Sequence, residues 1–198
     1  MPPKVAPTQA VVIPIWRKDP ERQAVAQYVD RLRLALGDAV RLEVDWDDEH
    51  TPGWKFNEWE MRGVPLRLEV GPRDVRNDQV VLVRRDNRAK EIVAFEGIQA
   101  RVVETLDTIQ KDLLNRARTF MAERTRRVDS FEEFSAALAE QRGLLVAHWC
   151  GDPDCEARIK DETAATIRCI PLDSELEEGI CVWCGKPSGR RVIFGRAY

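Results

Sequence analysis

Val40-Arg41-Leu42-Glu43-Val44-Asp45-Trp46 alternates apolar and charged residues without a break. Successive side chains of a strand point to opposite faces, so this stretch is predicted to be a half-buried strand with Val40, Leu42, Val44 and Trp46 on its core side. Downstream, Leu66–Val70 repeats the pattern and turns Arg67 and Glu69 away from the core face. Upstream, Ala10–Trp16 is a continuous apolar run that reads as a buried strand, where Pro14 marks an edge or a bulge. Between these strands, Asp19-Pro20 supplies an N-cap and a first-turn proline. Val25, Val29, Leu32 and Leu36 then recur at helical spacing before Gly37. Trp54–Arg62 reads as a short helix closed by Gly63, and Gln79–Arg84 with Ile92–Phe95 as a hairpin around Asp86-Asn87. The order β-α-β-α-β-β predicts an α/β (α+β) domain, with a mixed sheet and flanking helices.

Ile98, Val102, Leu106, Ile109, Leu113, Ala117 and Phe120 step by three and four along Ile98–Met121, which predicts one long amphipathic helix joining two domains. Ser130 then caps a helix carrying Phe131, Phe134 and Leu138, with Glu133 as its capping-box partner. Strands at Leu144–Trp149, Thr166–Pro171 and Arg191–Phe194, with a helix around Cys155–Ala165, predict a second, smaller α/β domain. The resulting division is residues 1–100, a linker helix over 101–128, and 129–198.

The 198 residues are 43% hydrophobic and 33% charged, a globular and not a disordered profile. No apolar run approaches the ~18 residues of a membrane span. The first residues are too weakly apolar for a signal peptide, which predicts a cytoplasmic protein. The net charge of -3 argues against sequence-independent binding to long nucleic acid, so no DNA partner is expected. Residues 55–90 nevertheless hold nine basic and six acidic residues, a local +3 that suits a short, specific RNA contact as well as an ordinary solvated surface.

All five cysteines lie in the last quarter. Cys150 and Cys155 form C-x4-C, and Cys181 and Cys184 form C-x2-C, with loop formers such as Gly151, Pro153, Gly185 and Pro187 beside them. Two chelating loops of soft thiolates suit tetrahedral zinc, and four thiolates leave no open position, so one structural zinc per chain is predicted. A redox role for Cys181 and Cys184 leaves the other pair unexplained. Cys169 has no partner at ligand spacing and reads as a small core residue. His50 and His148 are isolated, and no Gly-rich phosphate loop is present.

Three runs resemble the anticodon-binding domain of class II aminoacyl-tRNA synthetases: Gly53-Trp54-Lys55-Phe56-Asn57-Glu58-Trp59-Glu60, Gly63-Val64-Pro65-Leu66-Arg67 and Glu69-Val70-Gly71-Pro72-Arg73-Asp74. The portion Lys55–Glu60 resembles prolyl-tRNA synthetases of the type shared by archaea, eukaryotes and some bacteria. Pro2–Gln9 resembles the segment after that family's last catalytic motif. Cys150-Gly151-Asp152-Pro153, Ile167-Arg168-Cys169-Ile170-Pro171, Cys181-Val182-Trp183-Cys184-Gly185 and the terminal Tyr198 resemble its C-terminal domain. The class II catalytic signature has no counterpart here. The resemblance therefore implies the C-terminal half of a proline–tRNA ligase, with no aminoacylation by this chain alone. It also implies a parent homodimer whose missing catalytic domain uses ATP and magnesium, and toward which the Tyr198 carboxylate reaches.

The implied partner is the anticodon loop of tRNA(Pro), which ends its anticodon in two guanines. Reading a splayed guanine needs a carboxylate for N1–H and N2–H and a cationic donor to O6 and N7. The family's reading positions fall on Glu60, Arg67, Arg73 and Asp74, helped by Arg88 or Lys90. Arg84 and Arg85 are read as phosphate contacts. Plainer readings stand beside these: Glu60 and Arg67 as an ion pair, Asp74 as a turn cap, and Trp54, Phe56 and Trp59 as core. The competing function is a zinc-stabilised module that docks a protein and not RNA.

Overall fold

The computed structural model describes residues 1–141, 143–174 and 176–196. It divides into two compact units, Met1–Asn115 and Arg116–Tyr198.

The first unit contains five strands: β1 (Ala10–Pro14), β2 (Leu42–Val44), β3 (Leu66–Val70), β4 (Gln79–Arg84) and β5 (Lys90–Ala94). They form one sheet in the order β2-β1-β3-β4-β5. β1 runs parallel to β2 and β3, and β4 is antiparallel to β3 and β5, so the sheet is mixed as the sequence predicts. β1 is an interior strand and not an edge. Pro14 is accommodated because Ala10 N donates to Arg41 O on the β2 side and Ile15 N to Val70 O on the β3 side. By alternation the Pro14 nitrogen faces the β2 side, beyond the last β1–β2 pair at Val12 and Val44, where no ladder bond is needed.

One sheet face carries the larger core, under α1 (Asp19–Leu36) and the first half of α4 (Ile98–Glu123). Val25, Val29, Leu32 and Leu36 meet Leu66, Leu68, Val70, Val80 and Leu82 there, closed by Ile98, Val102, Leu106 and Ile109. Burying each of these side chains contributes roughly 1.5–3 kcal/mol. The N-cap of α1 is Lys18, one residue earlier than expected, with Asp19-Pro20 inside the first turn. Beyond Leu113 the periodic stripe of α4 emerges: Leu114, Phe120 and Met121 are exposed. β2 is shorter than the alternation suggested, yet Val40, Leu42, Val44 and Trp46 all face this core. The other sheet face has a small core of Val11, Ile13, Trp59 and Val64, with Ile15 and Phe56 packed against it, under α2 (Pro52–Met61). A further short helix, α3 (Pro72–Arg76), follows β3 directly.

The second unit holds a four-stranded sheet of β6 (Thr125–Arg127), β7 (Leu144–His148), β8 (Ala165–Cys169) and β11 (Arg191–Arg196), in the order β6-β7-β11-β8. Its core joins α5 (Phe131–Glu140) and α6 (Pro153–Thr163) to the sheet through Phe134, Leu138, Leu145, Ile159, Val192 and Phe194. Phe134 and Phe194 meet edge to face at 5.2 Å. Ser130 Oγ accepts from Glu133 N as expected, while the Glu133 carboxylate reaches one residue further back, to Asp129 N. A two-stranded ribbon, β9 (Gly179–Ile180) and β10 (Pro187–Ser188), frames the loop that carries Cys181 and Cys184. Cys169 is exposed at the outer end of β8, not buried, because the last two residues of that strand have left the core. Tyr198 lies outside the described residues.

Candidate functional site

The alternation of β3 buries Leu66, Leu68 and Val70 and turns Arg67 and Glu69 to the opposite, α2-side face of the sheet. The strand register extends two rows from them. Arg67 lies opposite Val83, and Val83 opposite Lys90; Glu69 lies opposite Val81, and Val81 opposite Ile92. Ile92 is exposed, so the β4–β5 end of this face is open to solvent.

Arg67 is held on three sides. Its Nε donates to Glu69 Oε1 at 3.1 Å, and its Nη2 lies 3.0 Å from the same oxygen. Its Nη1 donates to Glu60 Oε1, at the end of α2, at 3.3 Å. Its guanidinium lies 4.0 Å above the Phe56 ring. The Arg67 side chain is only 11% exposed, so this is a partly buried pair and not a solvated one. Lys90 Nζ approaches Glu69 Oε2 at 3.7 Å. Glu60, Arg67 and Lys90 therefore come together, with Glu69 as the link that the sequence reading left out. The signal was present: Glu69 stands two residues from Arg67 on the same strand face.

The remaining predicted residues sit apart from this cluster. Asp74 caps α3, accepting from Gly71 N at 2.9 Å and from Gln79 Nε2 at 3.0 Å. Arg73 is exposed on α3, beyond the other end of β3, and Arg88 is exposed in the β4–β5 turn with φ 60°. Arg84 is not available as a phosphate contact. It bonds Asp86 through Nε and Nη2 and reaches Asp112 of α4 at 2.6 Å, and these carboxylates hold its pKa up. Arg85 is exposed, and its Nε donates to Glu60 O at 2.8 Å. The three aromatics of α2 divide. Trp59 is core, Phe56 is half-buried beneath Arg67, and Trp54 is 45% exposed and stacked on His50 at 3.7 Å.

In the second unit β7 delivers Cys150, the first turn of α6 delivers Cys155, and the β9–β10 loop delivers Cys181 and Cys184. Their four sulfurs lie within 4.8 Å of one another, with Cys150 3.7 Å from both Cys155 and Cys184. A tetrahedral ion with metal–sulfur bonds of ~2.3 Å requires sulfur spacings of roughly 3.8 Å, so the donor set fits a metal ion. The loop is shaped for it: Gly185 N donates to Cys181 O at 2.9 Å and Cys181 N to Lys186 O at 2.8 Å, with Gly185 at φ 71°. The Lys186 backbone N–H pulls the Cys184 thiol down to about 7, whereas burial pushes Cys150 and Cys155 up. A bound cation favours the thiolate form of its ligands and would offset that burial. His148 is not part of the set. It is buried, its Nδ1 lies 3.2 Å from Ser188 Oγ, and its carbonyl accepts from Val182 N. Gly179 packs flat on its imidazole, where any Cβ would collide with the ring.

Comparison with known proteins follows the same division. Residues 9–105 match the anticodon binding domain family, and residues 131–198 match the family described as prolyl-tRNA synthetase, C-terminal. Over its whole length the chain is similar to the proline–tRNA ligases of Rubrobacter xylanophilus (48% identical), Natranaerobius thermophilus (45%) and Amoebophilus asiaticus (44%). It spans 40% or 41% of the length of each. No described helix is long and apolar enough to cross a membrane.

Proposed function

Because the chain belongs to the prolyl-tRNA synthetase family, as its anticodon-binding domain followed by its C-terminal domain, we propose that its first unit reads the two guanines of the tRNA(Pro) anticodon. The observation that carries this reading is the Arg67–Glu60 pair, presented on the sheet face beside Lys90. A guanine placed against this pair receives a donor for O6 and N7 from Arg67 and an acceptor for N1–H and N2–H from Glu60. Arg73, Asp74 and Arg88 add contacts along the loop, and the stacked Trp54 offers a face to an unpaired base. The four cysteines hold one zinc, which ties β7, α6 and the β9–β10 loop together and supplies structure, not chemistry. Activation of proline with ATP and magnesium, and the homodimer, belong to a longer ligase of which this chain supplies the tRNA-recognising part. The cytoplasm is the compartment in which that ligase acts.

A salt-controlled titration with anticodon stem-loops tests the reading. Wild type should prefer a GG loop over GA and AG loops. Arg67→Ala and Glu60→Gln should each lose ~1–3 kcal/mol of that preference. Full preference in Arg67→Ala means the site is misplaced. No preference in the wild type favours a zinc-stabilised module that docks a protein.

A further inference from the structure

We propose that Glu69 is a positioning residue for anticodon reading: it fixes the orientation of Arg67 and at the same time holds Lys90 beside it. The inference rests on the proposed role of Arg67. A guanidinium offers five N–H groups on three edges. The side edge of Arg67, formed by Nε and Nη2, is spent on Glu69 Oε1, at 3.1 and 3.0 Å. Nη1 spends one N–H on Glu60 Oε1 at 3.3 Å. Phe56 covers one flat face at 4.0 Å. By count, one N–H is left on each terminal nitrogen, the number of donors that a bidentate contact to O6 and N7 requires.

Glu69 can act in this way because it is itself fixed. It extends from β3 in register with Val81, is only 12% exposed, and uses its second oxygen to accept the approach of Lys90 Nζ at 3.7 Å. One carboxylate thereby neutralises part of two cations on a face meant for RNA. Its effect on specificity and its effect on affinity therefore have opposite signs. Without its charge, Arg67 can swing toward a phosphate and Lys90 is released, so binding strengthens for loops lacking the guanine pair while the choice among loops weakens. A residue that only supported the fold would lower both together. An acidic bystander would change affinity alone.

The experiment uses Glu69→Gln, which keeps the shape and removes the charge, with Glu69→Ala as the second variant. Stem-loops carrying GG and GA are titrated at two salt concentrations, with the thermal midpoint of each variant as the control for folding. The expected result in Glu69→Gln is a GG-over-GA ratio reduced at least about fivefold, with GA affinity at low salt raised about two- to fivefold. An unchanged ratio overturns the proposal, and so does a fall in both affinities with a lowered midpoint. The Arg67 Nε–H signal, read by NMR without RNA, separates this proposal from the reading it rests on. It should exchange slowly in wild type, faster in Glu69→Gln, whose neutral oxygen accepts more weakly, and fastest in Glu69→Ala. If wild type shows no loop preference, the function assigned to Arg67 fails. If the Nε–H exchange is the same with and without Glu69, the positioning role fails whatever the RNA result.

Discussion

The indole N–H of Trp59 donates to Asp45 Oδ2 across 2.7 Å, while the other oxygen of the same carboxylate pairs with Lys55 Nζ at 3.3 Å. Trp59 and Lys55 are one turn apart on α2, and Asp45 follows β2 directly. One carboxylate thus seats the helix whose far end carries Glu60. Lys55 is 3% exposed and Asp45 11%, so the pair is largely withdrawn from water. Removing one partner of a buried pair costs ~3–5 kcal/mol. Asp45→Ala should lower stability by about that amount in denaturant titration, and Asp45→Asn by less, since it can still accept from Trp59. Equal losses in the two variants would show that the hydrogen bond from Trp59 contributes nothing by itself and that the charge on Asp45 carries the whole effect.

The metal centre gives the second expectation. Elemental analysis of protein purified without added metal should find one zinc per chain, and Cys181→Ser with Cys184→Ser should abolish it. Cys169→Ala should leave the zinc content unchanged, because Cys169 lies exposed at the end of β8, outside the four-sulfur cluster. Chelation should lower the thermal midpoint of the second unit, since the ion joins three separate segments, the end of β7, the first turn of α6 and the β9–β10 loop. Loss of metal from Cys169→Ala would mean that the ligand set is wrongly chosen.

Glu177 provides a pH dependence whose sign can be worked out. Its carboxylate faces Arg191 at 3.1 Å, Arg127 at 2.5 Å and His148 at 3.8 Å. Hydrogen bonds from Arg191, then from Arg127, pull its pKa down from 4.5 to about 2. A depressed folded-state value means that the stabilisation is fully present above 4.5 and is lost as pH falls through about 2. Glu177→Gln should therefore remove part of the acid sensitivity in that window and change little above it. The difference between wild type and variant is the informative quantity, because acid also releases a thiolate-bound metal from both. Parallel curves from neutral pH down to pH 2 would count against the assignment.

Periodicity makes most of the architecture legible in the sequence alone. The alternation of Leu66–Val70 and the helical stripe from Ile98 to Ile109 are enforced by burial on one face, and both appear as read. The misreadings have a common cause: local pattern does not carry tertiary position. Pro14 looked like an edge marker, yet its strand is interior, because β2 ends before the proline needs a partner. Cys169 looked buried by strand pattern, but the end of β8 has run past the core. Trp54 looked like core by residue type, but helical phase places it away from the positions of Lys55 and Trp59. The cysteine spacing was legible because chelation imposes its own geometry on sequence. The bond from Arg67 to Glu69 was less so, since a strand pattern shows which residues share a face but not which of them touch.

Arg84 and Arg85 are adjacent in sequence and should nevertheless behave differently in RNA binding. Arg84, the last residue of β4, turns toward α4, and Arg85, in the turn that follows, toward the end of α2. Arg84 is occupied by Asp86 and Asp112, tying the β4–β5 hairpin to α4. Arg85 is exposed, donates through Nε to a backbone oxygen, Glu60 O, and stands next to the Glu60–Arg67 pair. A phosphate contact weakens all loops alike when lost and reduces the salt slope by about 1 per charge. Arg85→Ala should show that signature, with the GG-over-GA ratio unchanged and the thermal midpoint little altered. Arg84→Ala should lower the thermal midpoint, because Asp112 and Asp86 lose a shared partner, and should leave the salt slope as it is. The measurement is a pair of log affinity against log salt plots, one for each variant, beside wild type. If Arg84→Ala flattens the slope as much as Arg85→Ala does, its ion pairs open on RNA binding, and the hairpin has to be counted as part of the RNA surface.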